Sequence, residues 1–214
     1  LMEPVKEKLL ASEIQVYDFT GCTDNDIREM YRRQNNGKAM TNTQKRTAIE
    51  STTVSQYIFS LANSEFFTKV LSKKQLIRDT QRDLVRETLM LINTTHENDF
   101  TSFRSPDIDK FILWYAENIN EEQINALRYT LTKLDESFDE KLRINTLSIP
   151  MMLHAGYRVL KEEKDFEMFV ETIKDFVENF DNNEAYKQFC SEGTSGSPKV
   201  QGRLTYWNNL VDEL

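Results

Sequence analysis

From residue 93 onward the apolar residues of this chain return every three or four positions, in segments parted by short polar breaks. That spacing places them along one side of a helix, so the segments predict amphipathic helices that bury a stripe each by packing side by side. The predicted helices run at about 107–118, 121–139, 149–161, 166–179, 183–191 and 198–213. Connections this short favour antiparallel neighbours in a helical array. Ser105-Pro106, Ser148-Ile-Pro150 and Ser197-Pro198 read as helix starts, a capping serine followed by a proline in the first turn. Gly193-Thr-Ser-Gly-Ser197 reads as a flexible connector. The chain has only 6 Gly and 4 Pro, and its 13 Phe, 8 Tyr and 2 Trp are far too many for a disordered polymer. No fixed repeat of 30 to 45 residues marks a solenoid.

Before residue 93 the pattern is more varied. Residues 13–19 alternate polar and apolar side chains and predict the one strand of the chain. Thr23 and Asp26 have the spacing of a capping box, opening a helix to about Asn35 with Ile27, Met30 and Tyr31 as its buried side. Asn35-Asn-Gly-Lys38 stops that helix, and Thr41-Asn-Thr-Gln44 caps another that carries Ile49, Val54, Tyr57, Ile58 and Leu61 to about Ala62. A short piece from Phe66 to Leu71 follows. Residues 73–92 predict one long helix with Ile77, Leu84 and Leu91 seven apart. Its Arg78, Arg82 and Arg86 row, matched by Asp79, Asp83 and Glu87, reads as a solvated, ion-paired surface.

The net charge of −8 is unevenly spread. Residues 1–96 hold 14 Lys/Arg against 12 Asp/Glu, and residues 97–214 hold 13 against 23. The basic excess concentrates at Arg28, Arg32, Arg33, Lys38, Lys45 and Arg46, opposed only by Glu29. Cys22 and Cys190 are far apart and His96 and His154 isolated, which yields no metal site and predicts free thiols in a reducing cytoplasm. No export signal and no apolar run of membrane-spanning length is present, so no membrane partner is expected. Walker, GxGxxG, GxSxG, HExxH and EF-hand patterns are missing, and the carboxylate pairs Glu121/Glu122 and Glu162/Glu163 read as dipole partners near helix starts.

The stretch from Ile27 to Gln44 joins a basic helix end, a tight Asn-Asn-Gly turn and a new helix start, a corner that brings Arg33 and Asn35 among free N–H groups and suits a phosphate. An equally physical reading has Arg33 bonding helix-end carbonyls while Asn35 and Gly37 serve the backbone. Met30-Tyr-Arg-Arg-Gln-Asn-Asn-Gly-Lys-Ala-Met-Thr-Asn-Thr-Gln44 resembles the "(I/V)F-x-R-(I/L)-N-x-G-x-x-L-x-x-x-E" signature of the ParB/sulfiredoxin-like family that includes the N-terminal domain of GmrSD-type restriction endonucleases. The likeness rests on Tyr31, Arg33, Asn35, Gly37 and Met40, with Gln34 and Gln44 departing from the pattern. A second likeness covers the end of the chain, where Tyr186, Gly193-Thr194, Val200 and Arg203 resemble the "Y…GT…V…R" close of related bacterial and phage proteins.

The family's upstream "D-G-Q-Q-R" motif is absent, and the opening helix and strand have no partner strand downstream. The resemblance therefore implies a chain that begins within a longer protein: residues 1–40 a remnant of a ParB-like α/β catalytic domain, residues 41–214 its helical C-terminal domain. The expected fold is mainly α, a multi-helix array with one N-terminal strand. The implied role is that of the helical region of a nuclease or nucleotide-dependent DNA-processing protein of bacterial restriction or phage defence. Arg32, Arg33, Asn35, Gly37 and Lys38 would be its phosphate- or nucleic-acid-binding residues. A nucleotide and a divalent metal are implied for the intact protein, with no cofactor in the residues present. DNA would be met through the intact protein. The competing expectation is a non-catalytic module whose acidic helical half binds a protein partner or self-associates; the interspersed Lys and Arg disfavour a nucleic-acid mimic.

Overall fold

The computed structural model describes residues 16, 18–23, 26, 27, 30, 46, 47 and 49–214. The chain divides into two compact units, Leu1–Ala39 and Met40–Leu214. In the first, Thr23 and Asp26 cap each other: the Thr23 hydroxyl and N–H donate to Asp26 Oδ2 at 2.6 and 2.9 Å, and the Asp26 N–H returns to Thr23 Oγ1 at 3.3 Å. The side-chain and backbone bonds from Thr23 hold the Asp26 carboxyl below its ordinary range. Helix follows at Asp26, Ile27 and Met30, but Ile27 is exposed and Met30 only half-buried, and Tyr31 lies outside the described residues. Helical side chains lean toward the N-terminus, and Ile27 leans over Thr23, itself exposed. Of the predicted strand 13–19, Val16, Asp18 and Phe19 are described; none is in a strand, and all three are exposed. Alternation makes a strand only where a neighbour pairs with it and one face is covered.

Ten α-helices are delimited from Thr52 onward, and no strand occurs among the described residues. Helix α1 (Thr52–Ala62) starts where the Ser51 hydroxyl accepts the Val54 N–H and buries Val54, Ile58, Leu61 and Ala62 along one stripe. Two short helices follow, α2 (Phe66–Val70) and α3 (Lys73–Ile77), the latter closed by a Ser72/Gln75 capping box. Then come α4 (Thr80–Ile92), α5 (Ser105–Glu117) and α6 (Glu121–Ser137), whose first two N–H groups beyond Glu121 are bonded by Asn120. A 3₁₀ turn (Thr146–Ser148) leads into α7 (Ile149–Lys161), followed by α8 (Phe166–Glu178), α9 (Glu184–Lys187) and α10 (Ser197–Asp212).

Four expectations are corrected here. The helix predicted over residues 73–92 is two, because Asp79 takes the left-handed conformation (φ 59°) and turns the chain; Leu84 and Leu91 are buried while Ile77 is 84% exposed. The helix expected to run unbroken to Ala62 is interrupted at residues 49–51, where Ser51 adopts an extended conformation as cap. The Ser-Pro starts are real, but their serines do not cap. Ser105 accepts from Arg46 at 2.7 Å, Ser148 from Tyr186 at 3.0 Å, and Ser197 meets the Thr101 hydroxyl at 2.9 Å. Proline in the first turn removes one of the orphan N–H groups a cap would satisfy, which leaves these hydroxyls for tertiary contacts. Glu162 and Glu163 lie at the end of α7 rather than at a helix start, where Glu162 pairs with Arg158 at 2.8 Å.

Helix α7 organises the unit. Residues 149 to 157 are all buried, and the helix packs against α4, α6, α8 and α10. A helix buried all round belongs at the centre of a bundle. Gly156 permits the close approach: a Cβ there would stand 3.0 Å from Thr130 Cγ2 and 3.2 Å from the Phe169 ring. Helix α1 covers α4, α5 and α6 on one side, and α8 covers α7 on another.

Candidate functional site

Arg32, Arg33, Asn35, Gly37 and Lys38 lie outside the described residues. One member of the same basic segment is described, and it faces inward. Arg46, 6% exposed, reaches Asp83 Oδ1 at 3.0 Å, Asp109 Oδ1 at 3.3 Å and the Ser105 hydroxyl at 2.7 Å. Asp83 also accepts from Arg86 at 2.9 Å, and Arg86 in turn grips Glu50 Oε1 through both Nε and a terminal nitrogen at 2.6 Å. Two guanidiniums and three carboxylates thus form a chain from the segment before α1, across α4, to the first turns of α5. Arg86 is fully buried while Arg78 is exposed, so the row read from sequence as a solvated, ion-paired face is solvated at its start and buried at Arg86. Arg82, one turn before Arg86 on α4, donates to the Thr47 hydroxyl at 3.4 Å, and its guanidinium stands 5.1 Å from the centre of the Phe59 ring.

Next to this network stands Glu87, half-buried and without a hydrogen bond among the described residues. Burial, reinforced by the Asp83 carboxylate, pushes its carboxyl up to about 8 despite Arg203, Arg46 and Arg86 nearby. Arg203 itself is 1% exposed and is held by two backbone carbonyls, Phe189 at 2.7 Å and Thr194 at 2.8 Å, while its Nε has no partner. These bonds close the loop before α10. Gly193 is left-handed (φ 72°), the Phe103 N–H donates to Ser195 O at 2.9 Å, and Gly202 lies against Phe189 so closely that a Cβ would come within 2.3 Å of the ring. The connector read as flexible is fastened at both ends. Tyr186, Gly193, Thr194, Val200 and Arg203, the residues of the second sequence likeness, are therefore parts of one folded corner. Tyr186 and Val200 are fully buried.

The sequence reading missed Glu50 and Asp109, and it placed Glu87 in a surface charge row and Arg203 in the second likeness without their burial. Only Arg203 left a signal: in the Val200, Arg203, Trp207, Val211 stripe, a cation occupies an apolar position. A cleft of about 250 Å³ opens between α1 and α6, lined by residues including Leu61, Asn63, Glu65, Arg128, Leu131 and Asp135. Two of its three charged groups are engaged, Arg128 with Ser60 at 3.2 Å and Asn125 at 2.6 Å, and Asp135 with Lys69 at 2.7 Å. No group of His, Cys, Asp and Glu that could hold a metal ion occurs among the described residues, and no described helix is long and apolar enough to cross a membrane. No protein-family model, curated protein or solved structure matches the chain.

Proposed function

We propose that the second unit is the helical, non-catalytic part of a DNA-processing protein of the ParB-like, GmrSD type, with any chemistry and DNA contact carried elsewhere. The closed pairing of the interior charges is the observation that supports this reading. Arg46, Arg86, Glu50, Asp83 and Asp109 bind one another across three segments of the fold, an arrangement that fixes those segments and leaves the charges committed. The excess of acidic residues over 97–214 supports the same division, since phosphate neutralisation needs Lys and Arg. DNA contact is assigned to Arg32, Arg33, Asn35, Gly37 and Lys38.

Labelled duplex is titrated with the 214-residue chain and with an Arg32/Arg33/Lys38 triple-Ala variant at low and moderate salt, with divalent metal present and absent. Weak, salt-sensitive binding that the triple substitution abolishes, with no cleavage, is expected. Metal-dependent turnover overturns the non-catalytic assignment, and tight binding indifferent to the substitution overturns the DNA assignment. A second reading, a protein-interaction or oligomerisation module, is favoured by residues 162–184, where nine exposed Asp/Glu face two Lys. A molar mass by light scattering that doubles as salt is raised, which screens the repulsion between acidic faces, supports self-association.

A further inference from the structure

The segment ahead of α1 is seated on the helices by charge rather than by apolar packing. Of its described residues, Arg46 and Glu50 are buried, 6% and 4% exposed, while Ile49 is half-buried and stands outside the apolar core. The Ile49 and Glu50 N–H groups both donate to Arg46 O, at 2.8 and 3.1 Å, so a single turn of backbone sends both charged side chains toward α4. There Arg46 meets Asp83 on α4 and Asp109 and Ser105 on α5, Glu50 meets Arg86 on α4, and Arg82 donates to the Thr47 hydroxyl. Desolvation offsets much of the attraction within a buried ion pair, so partners that part and rehydrate together lose less than their short contacts suggest.

Two features let this segment leave alone. Ser51 is extended (φ −62°, ψ 155°) and its hydroxyl accepts the Val54 N–H, which gives α1 a start of its own that does not depend on the turn ahead. Helix α1 is anchored instead by Val54, Ile58 and Leu61, which are 0%, 2% and 1% exposed, and it packs on α4 and α5, which also pack on each other. We propose that the stretch from Arg46 to Glu50 is a clasp that opens as a unit, swinging at Ser51 away from α4 and α5 while α1 and the helices behind it stay folded. Opening separates Arg46 from Asp83 and Asp109, and Glu50 from Arg86, and lets water reach both ends of each pair. The clasp stands where the chain enters the second unit, and its closure ties the chain ahead of α1 to the helices.

Amide hydrogen exchange of the 214-residue chain, read residue by residue by NMR, tests this. The Ile49 and Glu50 amides are expected to exchange at least about a hundredfold faster than those of Ile58 and Leu61, through an opening that low denaturant leaves unchanged. In Arg46→Gln the Ile49 and Glu50 amides should exchange about tenfold faster still with Ile58 and Leu61 unaltered, and Arg46→Lys, which keeps the charge but loses the fork, should fall between. Exchange of Ile49 and Glu50 at the rate of the α1 core overturns the proposal, since the segment then opens only when the unit unfolds. So does an Arg46→Gln variant that leaves the two amides unchanged, which makes the turn a frayed end. An Arg46→Gln variant that speeds the α1 amides equally, or that fails to fold, also overturns it, because Arg46 is then part of the core and not of a clasp.

Discussion

Two clusters hold the second unit together, and they do so with opposite chemistry. Under α1, α4 and α5 the links are Arg46, Arg86, Glu50, Asp83 and Asp109, five charged groups joined by ion pairs. Between α8, α9 and α10 they are Phe176, Tyr186, Tyr206 and Trp207, with ring centres 4.7 to 4.9 Å apart for Phe176–Trp207, Phe176–Tyr186 and Tyr186–Tyr206. The aromatic cluster has one polar thread, Trp207 Nε1 donating to Tyr186 Oη at 3.4 Å and Tyr186 donating to Ser148 at 3.0 Å. An ionic cluster gains little over a well-packed apolar one but tolerates no missing partner, whereas an aromatic cluster stabilises in proportion to the area it removes from water.

The comparison predicts equal losses on truncation but different recoveries. Glu50→Ala leaves the fully buried Arg86 without its main counter-charge and should cost about 3–5 kcal/mol in denaturant unfolding. Trp207→Ala removes a fully buried ring and should cost a similar 3–5 kcal/mol or so. Replacing both Glu50 and Arg86 by Leu and Met should regain most of the first loss, because the desolvated charges leave together. No second substitution beside Trp207 should regain the cavity. If the double variant is no better than Glu50→Ala, the network is irreplaceable and the contrast fails.

Between the clusters lies His154 on α7, 9% exposed with its Nδ1 unpartnered. Burial, assisted by Arg158, lowers its imidazole to about 4. The folded protein therefore resists a proton that the unfolded chain accepts near 6.5. Stability from this residue is intact above about pH 6.5 and lost as pH falls through 4, a difference of roughly 3 kcal/mol. Glu87 acts with the opposite sign: its folded carboxyl binds a proton up to about 8, so stability falls as pH rises from the ordinary carboxylate range toward that value. Thermal melts from pH 4 to 9 should show both slopes, the acid one vanishing in His154→Gln and the alkaline one in Glu87→Gln. An acid slope unchanged by His154→Gln would assign it to the carboxylates of the ionic cluster instead.

Gly202→Ala sharpens the picture at the C-terminal corner. The added methyl would stand 2.3 Å from the Phe189 ring, so ring and loop must shift together, and a loss of about 1–3 kcal/mol is expected. A chemical-denaturation midpoint equal to wild type would mean that the ring has room to turn away.

What was legible in the sequence follows from the same division. Residues 149–161, read from apolar spacing, coincide with α7, and α8 and α10 fall within a residue of their predicted bounds. Those helices bury periodic apolar stripes, and periodicity is local information. The break at Asp79 was hidden because the apolar spacing of Ile77, Leu84 and Leu91 continues across it. The ionic cluster was hidden for a different reason. Arg86 on α4 looks like any member of a surface charge row, and its main partner Glu50 lies 36 positions away in the segment before α1. The serines of the Ser-Pro starts were legible as helix starts but not as tertiary donors and acceptors, since Thr101 and Tyr186 are distant in sequence. The predicted phosphate corner at Arg32, Arg33, Asn35, Gly37 and Lys38 lies outside the described residues.

The smallest expected effect concerns the two turns that feed the clusters. Asp79 (φ 59°) leads into α4 and its ionic end, and Glu163 (φ 54°) turns α7 toward α8, which carries Phe169 and Phe176 into the aromatic end. Glu163 occupies the position after a helix C-cap where glycine is usual, and the Lys164 N–H reaches back to Val159 O at 2.9 Å, the six-to-one bond that closes such an ending. A left-handed conformation costs a residue with a Cβ about 1–2 kcal/mol, and glycine gives back part of that gain through its freer unfolded chain. Glu163→Gly should therefore stabilise by about 0.5–1 kcal/mol, a rise of a few degrees in Tm. Asp79→Gly should change less, because aspartate tolerates the left-handed region better than glutamate does. A fall in Tm for Glu163→Gly would show that this exposed side chain supports the turn, and would move the α7–α8 junction from a backbone problem to a side-chain one.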